Sequence, residues 1–384
     1  MKILYHHRTK GDGAEGIHVA EVIGSFRKLG HDVALLCPKD AQRSPGLSTN
    51  NKAATTSAVF LLLRQIAEIF YNLVIFGRVW SGVKSNQPDF IYERYSRFSF
   101  AGVMVAKWKK VPLILEVNAT YAGKFGARFR VFFPSTLRRI ERYAFRNASG
   151  IVVVSRPLKS CIRSISNVPI VVCPNAINIG RVKETNRETE RARHRDVLKL
   201  NGAIVIGFVG SLRIWHGIDF FASVLRDIAS NVPNVHFLFV GNGEYEEELR
   251  RTVEENGLLS RVTFLGAVPH SEVYSLVAAM DVGVMPDSNL FGSPMKILEY
   301  MAMGCVPVGP NLEPVEELIR HGETGFVFER RNRDSIIEQL TALCENRELR
   351  EKIGHAARKY VLEERTWDRN AVDAIQLYER VKGN

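Results

Sequence analysis

Residues 204–241 read IVIGFVGSLRIWHGIDFFASVLRDIASNVPNVHFLFVG, and the fold follows from this stretch. IVIGFVG is a short apolar run ending on glycine. A polar loop and a segment of helical period follow, and then a second apolar run, VHFLFVG. Apolar strand, helix and apolar strand make a parallel βαβ unit, and its strands must be covered on both faces. The same alternation extends both ways. KILYHH, DVALLCP, FIYERY, PLILEVN, GIVVVS and PIVVCPN precede it, with helical period over 16–29, 98–110 and 134–147. VTFLGAV, VGVMP, VPVGP and GFVF follow it. The expected fold class is α/β, with two doubly wound, Rossmann-like domains. RVKETNRETERARHRDVLKL (181–200) is highly charged and poor in apolar residues, and it reads as the linker. The expected domains are 1–180 and 201–360, with a closing helix within 361–384 that crosses back to the first.

At roughly 150 residues per domain, the length of 384 agrees with two domains. With 46% apolar and 24% charged residues, disorder, collagen-like, coiled-coil and mini-protein classes are excluded. No run of about 18 apolar residues lacks a charge, which argues against a spanning helix. The opening MKILYHHRTK does not read as a secretory signal. Five scattered cysteines without a CxxC pair argue against a disulfide frame or zinc site. The expectation is the cytoplasm. Charge is uneven: residues 1–180 hold 26 basic and 10 acidic side chains, net +16, whereas the rest is net −5. The N-terminal half is therefore expected to meet something anionic.

One segment fits neither strand nor ordinary helix. After a Ser-, Thr- and Asn-rich stretch (41–57) comes AVFLLLRQIAEIFYNLVIFGRVW (58–80). Its Arg64, Glu68 and Asn72 fall at i, i+4 and i+8, one narrow polar stripe on a helix that is otherwise apolar. That apolar surface is wider than a surface helix buries. The plainer reading is a deeply packed helix. The other is a helix lying in a membrane interface, favoured by its basic surroundings.

Several loops carry candidate chemistry. GDGAEG (11–16) matches G-x-G-x-x-G, but Arg8, Thr9 and Lys10 separate it from the strand, and Asp40 is a poor ribose acid. Dinucleotide binding and a plain glycine loop both stay open. In GSPMKILEYMAMGC (292–305), Ser293 and Pro294 read as an N-cap and first helical position. The free N–H groups of that turn can hold a diphosphate. Glu299 falls among Ile297, Leu298, Tyr300 and Met301, where a carboxylate needs partners; ribose hydroxyls would serve, and so would a surface pair with Lys296. GSLRIWHG (210–217) and GNGEYEEEL (241–249) each follow a strand, and they bring Arg213 and His216 to the sheet edge where ligands bind in open α/β folds.

FVGSLRIWHGID, FLFVGNGEYEEELR, VTFLGAVPHSEVY, GSPMKILEYMAMGCVPV and GETGFVF, in this order, resemble the C-terminal domain of glycosyltransferase family 4. The N-terminal half resembles it more loosely, through RKLGHDVALLCP, IYERYSRFSFAG, LILEVNA, RYAFRNASGIVVVS and VVCPNAIN. The resemblance implies a GT-B architecture, two Rossmann-like domains facing a central cleft, and a retaining transfer from a nucleotide-sugar. It places Glu299 at the second acid of an E-x7-E motif, with Phe291 where the first acid belongs. In the family's G-R-L-x-x-x-K-G loop, Ser211 and His216 stand at the two basic positions, and Arg213 is expected to restore charge. Asn175, Ala176 and Asn178 stand at its asparagine-glycine-aspartate.

The site this implies has a catalytic group of Arg213, His216, Glu116 and Asn118. Its donor-binding set is Gly16, Ser211, Asn242, Gly243, Val268, Ser293, Pro294, Met295, Lys296 and Glu299. No cofactor is expected beyond a UDP- or GDP-sugar as substrate, and no metal, since the sequence contains no D-x-D. Arg94, Arg97, Lys124 and Arg128, with Arg8 and Lys10, are expected to meet an anionic or lipid-linked acceptor in polysaccharide or glycolipid synthesis. Peripheral contact at the inner face of the cell membrane is expected, and nucleic acid is not. A nucleotide-sugar epimerase, an NAD-dependent oxidoreductase and a catalytically dead partner subunit are the alternatives.

Overall fold

The protein's structure, a computed structural model, describes residues 1–9, 13–38, 58–121 and 130–383. It divides into two compact units, Met1–Pro174 with Trp367–Asn384, and Asn175–Thr366.

The first unit runs β1 (Lys2–His6), α1 (Gly13–Lys28), β2 (Asp32–Leu36), α2 (Ala58–Asn86), β3 (Phe90–Arg94) and α3 (Ala101–Lys109). It continues with β4 (Leu113–Val117), α4 (Pro134–Asn147), β5 (Gly150–Val153), α5 (Arg156–Arg163) and β6 (Ile170–Val172). Its sheet is six-stranded and parallel, in the order β2-β1-β3-β4-β5-β6. The strand order reverses between β1 and β3. Tyr5, Phe26 and Tyr92 pack as one buried aromatic group beneath that edge.

The second unit begins with α6 (Ile179–Glu184) and α7 (Arg187–Val197), followed by β7 (Ile204–Val209), α8 (Ile218–Asn231), β8 (Val235–Val240) and α9 (Glu246–Glu255). Then come β9 (Val262–Gly266), α10 (Val273–Val277), β10 (Val282–Val284), α11 (Met295–Ala302), β11 (Val306–Pro310) and α12 (Glu313–Glu316). β12 (Phe326–Phe328), α13 (Arg333–Glu345) and α14 (Arg347–Glu364) complete it. Its parallel sheet has the order β12-β11-β10-β7-β8-β9, with the reversal between β7 and β10. Alternation along the strands builds two apolar layers: Ile206, Phe208, Phe237 and Phe239 face one, Val205, Val209, Leu238 and Val240 the other.

The chain returns to the first unit through α15 (Trp367–Val381). There Ser25 donates to Asp368, and His18 meets Trp367 edge-on at 4.8 Å. All twelve apolar runs fall on strands.

Two expectations change. Residues 181–200 form helix rather than a linker, because Arg191 and Arg195 of α7 clamp the two oxygens of Asp281 at 2.5 Å each, and Val205 N–H donates to it as well. Burial alone would raise the Asp281 pKa, but the two guanidiniums hold it below the ordinary value. The second change is in α2, whose polar stripe divides: Asn72 and Glu68 turn towards the fold, while Arg64 stays exposed. Gln65 and Asn72 are buried, whereas Val59, Leu63, Phe70, Leu73 and Val74 are exposed. The reading of a deeply packed helix fails for that face.

Candidate active site

In the second unit the reversal of strand order opens a crevice. β7 and β10 pair only at Val282↔Ile206 and Gly283↔Gly207. Beyond that the Tyr300 hydroxyl fills the gap, accepting from Val209 N–H at 2.9 Å and donating to the Val284 carbonyl at 3.3 Å. Gly283 is required there, because a Cβ would lie 2.3 Å from the Tyr300 ring. Above this point the chain leaves β7 into 210–217 and β10 into 285–294. In open α/β sheets this is where ligands bind.

Loop 210–217 is locked to the loop after β8. Leu212 N–H donates to the Asn242 carbonyl, Tyr245 N–H to the Leu212 carbonyl, and Ser211 Oγ to Asn242 as well. Gly217 turns the chain into α8 with φ +74°, against the backbone of Pro286 and Asp287. Ser211, Asn242, Gly243, Arg213 and His216 are thereby brought to one end of the sheet.

Lys296 joins them from α11. It is buried, with Nζ 3.4 Å from His216 Nδ1 and 4.2 Å from the centre of the Phe208 ring. Burial pushes its pKa from 10.5 down to about 7, with the Glu299 charge pulling the other way. A Cβ on Gly210 would sit 3.2 Å from that nitrogen. Arg213 contributes a second cation. Among the described residues its Nε is buried and has no hydrogen-bond partner, a condition native structures rarely leave unexplained.

Glu299 is buried, but its protein partner is not Lys296: His270 Nε2 lies 2.9 Å from Oε1, and Arg181 backs His270 at 3.2 Å. Sequence reasoning named Val268 in this loop and missed His270, two residues on in VTFLGAVPHSEVY.

The cap also differs. Pro294 is the N-cap of α11, without a side-chain cap, and Met295 is the first helical residue. Ser293 lies one place earlier, accepting from Asn175 N–H at 2.9 Å through Oγ. Asn175 Nδ2 also donates to the Ser293 carbonyl, at 2.7 Å, and Asn178 caps α6. Phe291 is buried, so no carboxylate occupies the first acid position. Asp287 in the same loop does not stand in for it, being gripped by Arg330 and Arg331 at 2.7 and 3.0 Å.

The remaining candidates belong to the first unit, where they form a cluster of their own at the strand ends. Glu116, at the end of β4, is buried with Arg94 at 2.6 Å, His18 at 2.9 Å and a hydrogen bond from Asn118. Burial would raise its pKa, but the His18 and Arg94 charges and the hydrogen bonds hold it well below the carboxylate range. Ion-paired and hydrogen-bonded in this way, it is a weaker base than an ordinary carboxylate. Arg94 is taken up by it, and Arg97 forks onto Glu68 at 2.8 and 2.9 Å. Arg8 lies over the Tyr71 ring at 4.9 Å. Gly16 is buried within α1. Lys10, Gly11, Asp12, Asp40, Lys124 and Arg128 lie outside the described residues.

Two histidines that sequence reasoning did not single out close this cluster. His6 Nδ1 lies 3.1 Å from Glu93, whose carboxylate occupies the space a side chain at Gly102 would need. His7 is buried beside His6. Burial first, then the neighbouring His6 and Arg94, lowers its pKa from 6.5 to about 4. A histidine kept neutral by folding binds its proton more readily when unfolded. Its contribution is complete above pH 6.5 and is lost as pH falls towards about 4. The depressed Glu116 carboxylate acts in the same direction at lower pH. The stability of the first unit, read from urea unfolding, should therefore fall between pH 7 and pH 4.5, by up to about 2 kcal/mol for His7. His7→Gln should flatten that slope; an unchanged slope would refute the assignment.

The glycosyl transferases group 1 profile matches residues 190–360, and the Glycosyltransferase Family 4 profile matches residues 15–181. A 2-deoxystreptamine glucosyltransferase of Streptomyces kanamyceticus is 29% identical over 198 residues, which is 48% of this chain and about half (49%) of that protein. Among solved structures, Anabaena Alr3699/HepE in complex with UDP and glucose superimposes with a TM-score of 0.72 at 17% identity, covering 99% of this chain and 98% of that one. A glycosyltransferase from Rickettsia africae gives a TM-score of 0.76 at 15% identity, covering 100% and 99%. With two family profiles covering both units and the fold shared end to end, the chain belongs to glycosyltransferase family 4, of GT-B architecture.

Proposed function

We propose that the second unit holds a nucleoside-diphosphate-sugar, and that the enzyme transfers its sugar to an acceptor with retention of configuration and without a metal ion. The observation that carries this reading is the convergence of Lys296 and Arg213 on the mouth of the β7/β10 crevice. One is a buried ammonium, the other a guanidinium with an orphaned buried Nε. As the sugar departs, negative charge builds on the diphosphate, and positive charge already in place lowers that barrier. The family's lysine position holds His216, but Lys296 brings an ammonium to the same place from α11. The uncapped first turn of α11 adds its N–H groups. Side chains thus supply what a divalent cation supplies elsewhere, so turnover is expected to persist in EDTA. Glu299, with Oε1 fixed by His270, is assigned to the donor ribose.

The acceptor is read from charge alone, as an anionic or lipid-linked molecule met by the first unit, since Arg94 and Arg97 are engaged internally. The complex of Alr3699/HepE with UDP and glucose makes UDP the first nucleotide to try.

Thermal stabilisation by UDP, GDP and NAD with EDTA present tests this reading. A nucleotide at 100 times its Kd adds about 2.7 kcal/mol. UDP or GDP should stabilise the wild type, and Glu299→Gln should weaken that nucleotide about tenfold or more. Stabilisation by NAD alone, or by none, would overturn the donor assignment; unchanged affinity in Glu299→Gln would remove the ribose role.

A further inference from the structure

Helix α2 is built inside out. Asn72 accepts from the N–H groups of Phe100 and Ala101 at 3.0 and 3.1 Å, and donates to the Phe98 carbonyl at 2.8 Å. Gln65 donates to the Arg130 carbonyl and accepts from Phe132 N–H. Glu68 holds Arg97. These polar groups pin the helix to the first unit and leave the opposite face to solvent. Along that face Val59, Leu63, Phe70, Leu73 and Val74 fall at i, i+4, i+11, i+14 and i+15, and they are between 50% and 74% exposed. A stripe of this size on a folded chain marks a surface that meets something apolar.

Its surroundings name the partner. Near the C-terminal end of α2, Phe76 stacks on Trp80 and meets Trp108 of α3 edge-on, and Trp108 is 62% exposed. Lys109 lies 3.5 Å over Trp80, and Lys107 and Lys110 are exposed beside it. α3 also packs on α4, where Arg138, Arg139 and Arg142 are exposed and the one acid, Glu141, is buried. Across 58–110 there are 8 basic and 3 acidic side chains. An apolar stripe, tryptophans at its margin and lysines beyond them match the three layers of an anionic bilayer surface: acyl boundary, interface and headgroup phosphate.

We propose that the first unit docks through α2 and α3 onto an anionic lipid bilayer, with the apolar face of α2 lying in the interface. α2 is long and apolar enough to cross a membrane. Its buried stripe is hydrogen-bonded to residues 98–101 and 130–132, however, so it lies on the bilayer as part of the fold.

The test is flotation of the full chain with phosphatidylcholine vesicles, with and without phosphatidylglycerol. The chain should float with the anionic vesicles, about tenfold or more tighter than with phosphatidylcholine alone, and salt should weaken it. Phe70→Glu with Leu73→Glu should abolish flotation while leaving the thermal melt and nucleotide binding unchanged. Lys107→Glu with Lys110→Glu should lower anionic binding about tenfold and leave the weaker phosphatidylcholine binding in place. Three results would overturn the proposal. The chain could stay in the lipid-free fraction with both vesicles. It could elute as a dimer that Leu73→Glu splits, which would assign the face to a second copy. Or it could resist alkaline extraction, which would make α2 a spanning helix.

Discussion

Lys296→Met should leave the fold intact and lower transfer by about 10²- to 10³-fold, corresponding to roughly 3–4 kcal/mol of transition-state stabilisation. The fold should survive because the side chain already lies in apolar surroundings, across the Phe208 ring, and methionine fills that path without a charge to desolvate. The rate should not, because the ammonium beside His216 is the one this substitution removes. Lys296→Arg should fare little better, since Gly210 closes on the ammonium and a planar fork needs more width. The pH dependence separates this role from a structural one. With a free-enzyme pKa of about 7, the amine gains its proton as pH falls through neutrality, and a bound diphosphate raises that pKa further. Affinity for the nucleoside diphosphate should be highest below pH 7. It should fall by up to about tenfold per pH unit above that, until the pKa of the complex is reached. Lys296→Met should remove this slope. A variant with wild-type turnover, or one that keeps the slope, would place the diphosphate elsewhere.

The twelve strands were legible because each carries a short, largely apolar run, and the central ones lie buried on both faces of their sheets. What sequence could not supply was every contact made across the fold. Arg64, Glu68 and Asn72 read as one narrow polar stripe on a helix whose apolar face was expected to be packed or to lie in a membrane interface. Asn72 turns inward because residues 98–101 offer it backbone groups to satisfy. Residues 181–200 read as a linker because their partner, Asp281, lies some 90 positions away. In the site, Glu299, Lys296, Arg213 and His216 were all legible as motif positions. The sequence did not reveal that Lys296 comes within 3.4 Å of His216, nor that His270 meets Glu299 Oε1. Glu116 looked available for chemistry because its three partners come from α1, β3 and the loop after β4.

Gly243→Ala should cost the second unit about 3 kcal/mol or more and weaken nucleotide binding at least about tenfold, because overpacking against backbone has no side chain to yield. A Cβ at this position would lie 2.2 Å from the Leu212 carbonyl oxygen, 2.6 Å from its carbon and 2.7 Å from its nitrogen. Leu212 cannot retreat: its side chain is fully buried, and its N–H and C=O are both bonded to the 242–245 loop. Relief requires the two loops to separate, and that moves Arg213 and His216 away from Lys296. Gly241 is pressed in the same way, 2.0 Å from the Gly210 oxygen, but its φ of +129° adds backbone strain, so Gly243 isolates the steric effect. Gly257 provides the opposite control. Its φ is +68° with open space around it, and Gly257→Ala should cost only about 1 kcal/mol without touching nucleotide affinity. Urea midpoints and nucleotide affinities of the two variants decide the matter. If Gly243→Ala matches Gly257→Ala in both, the interlock of the two loops is not what holds the cations in place.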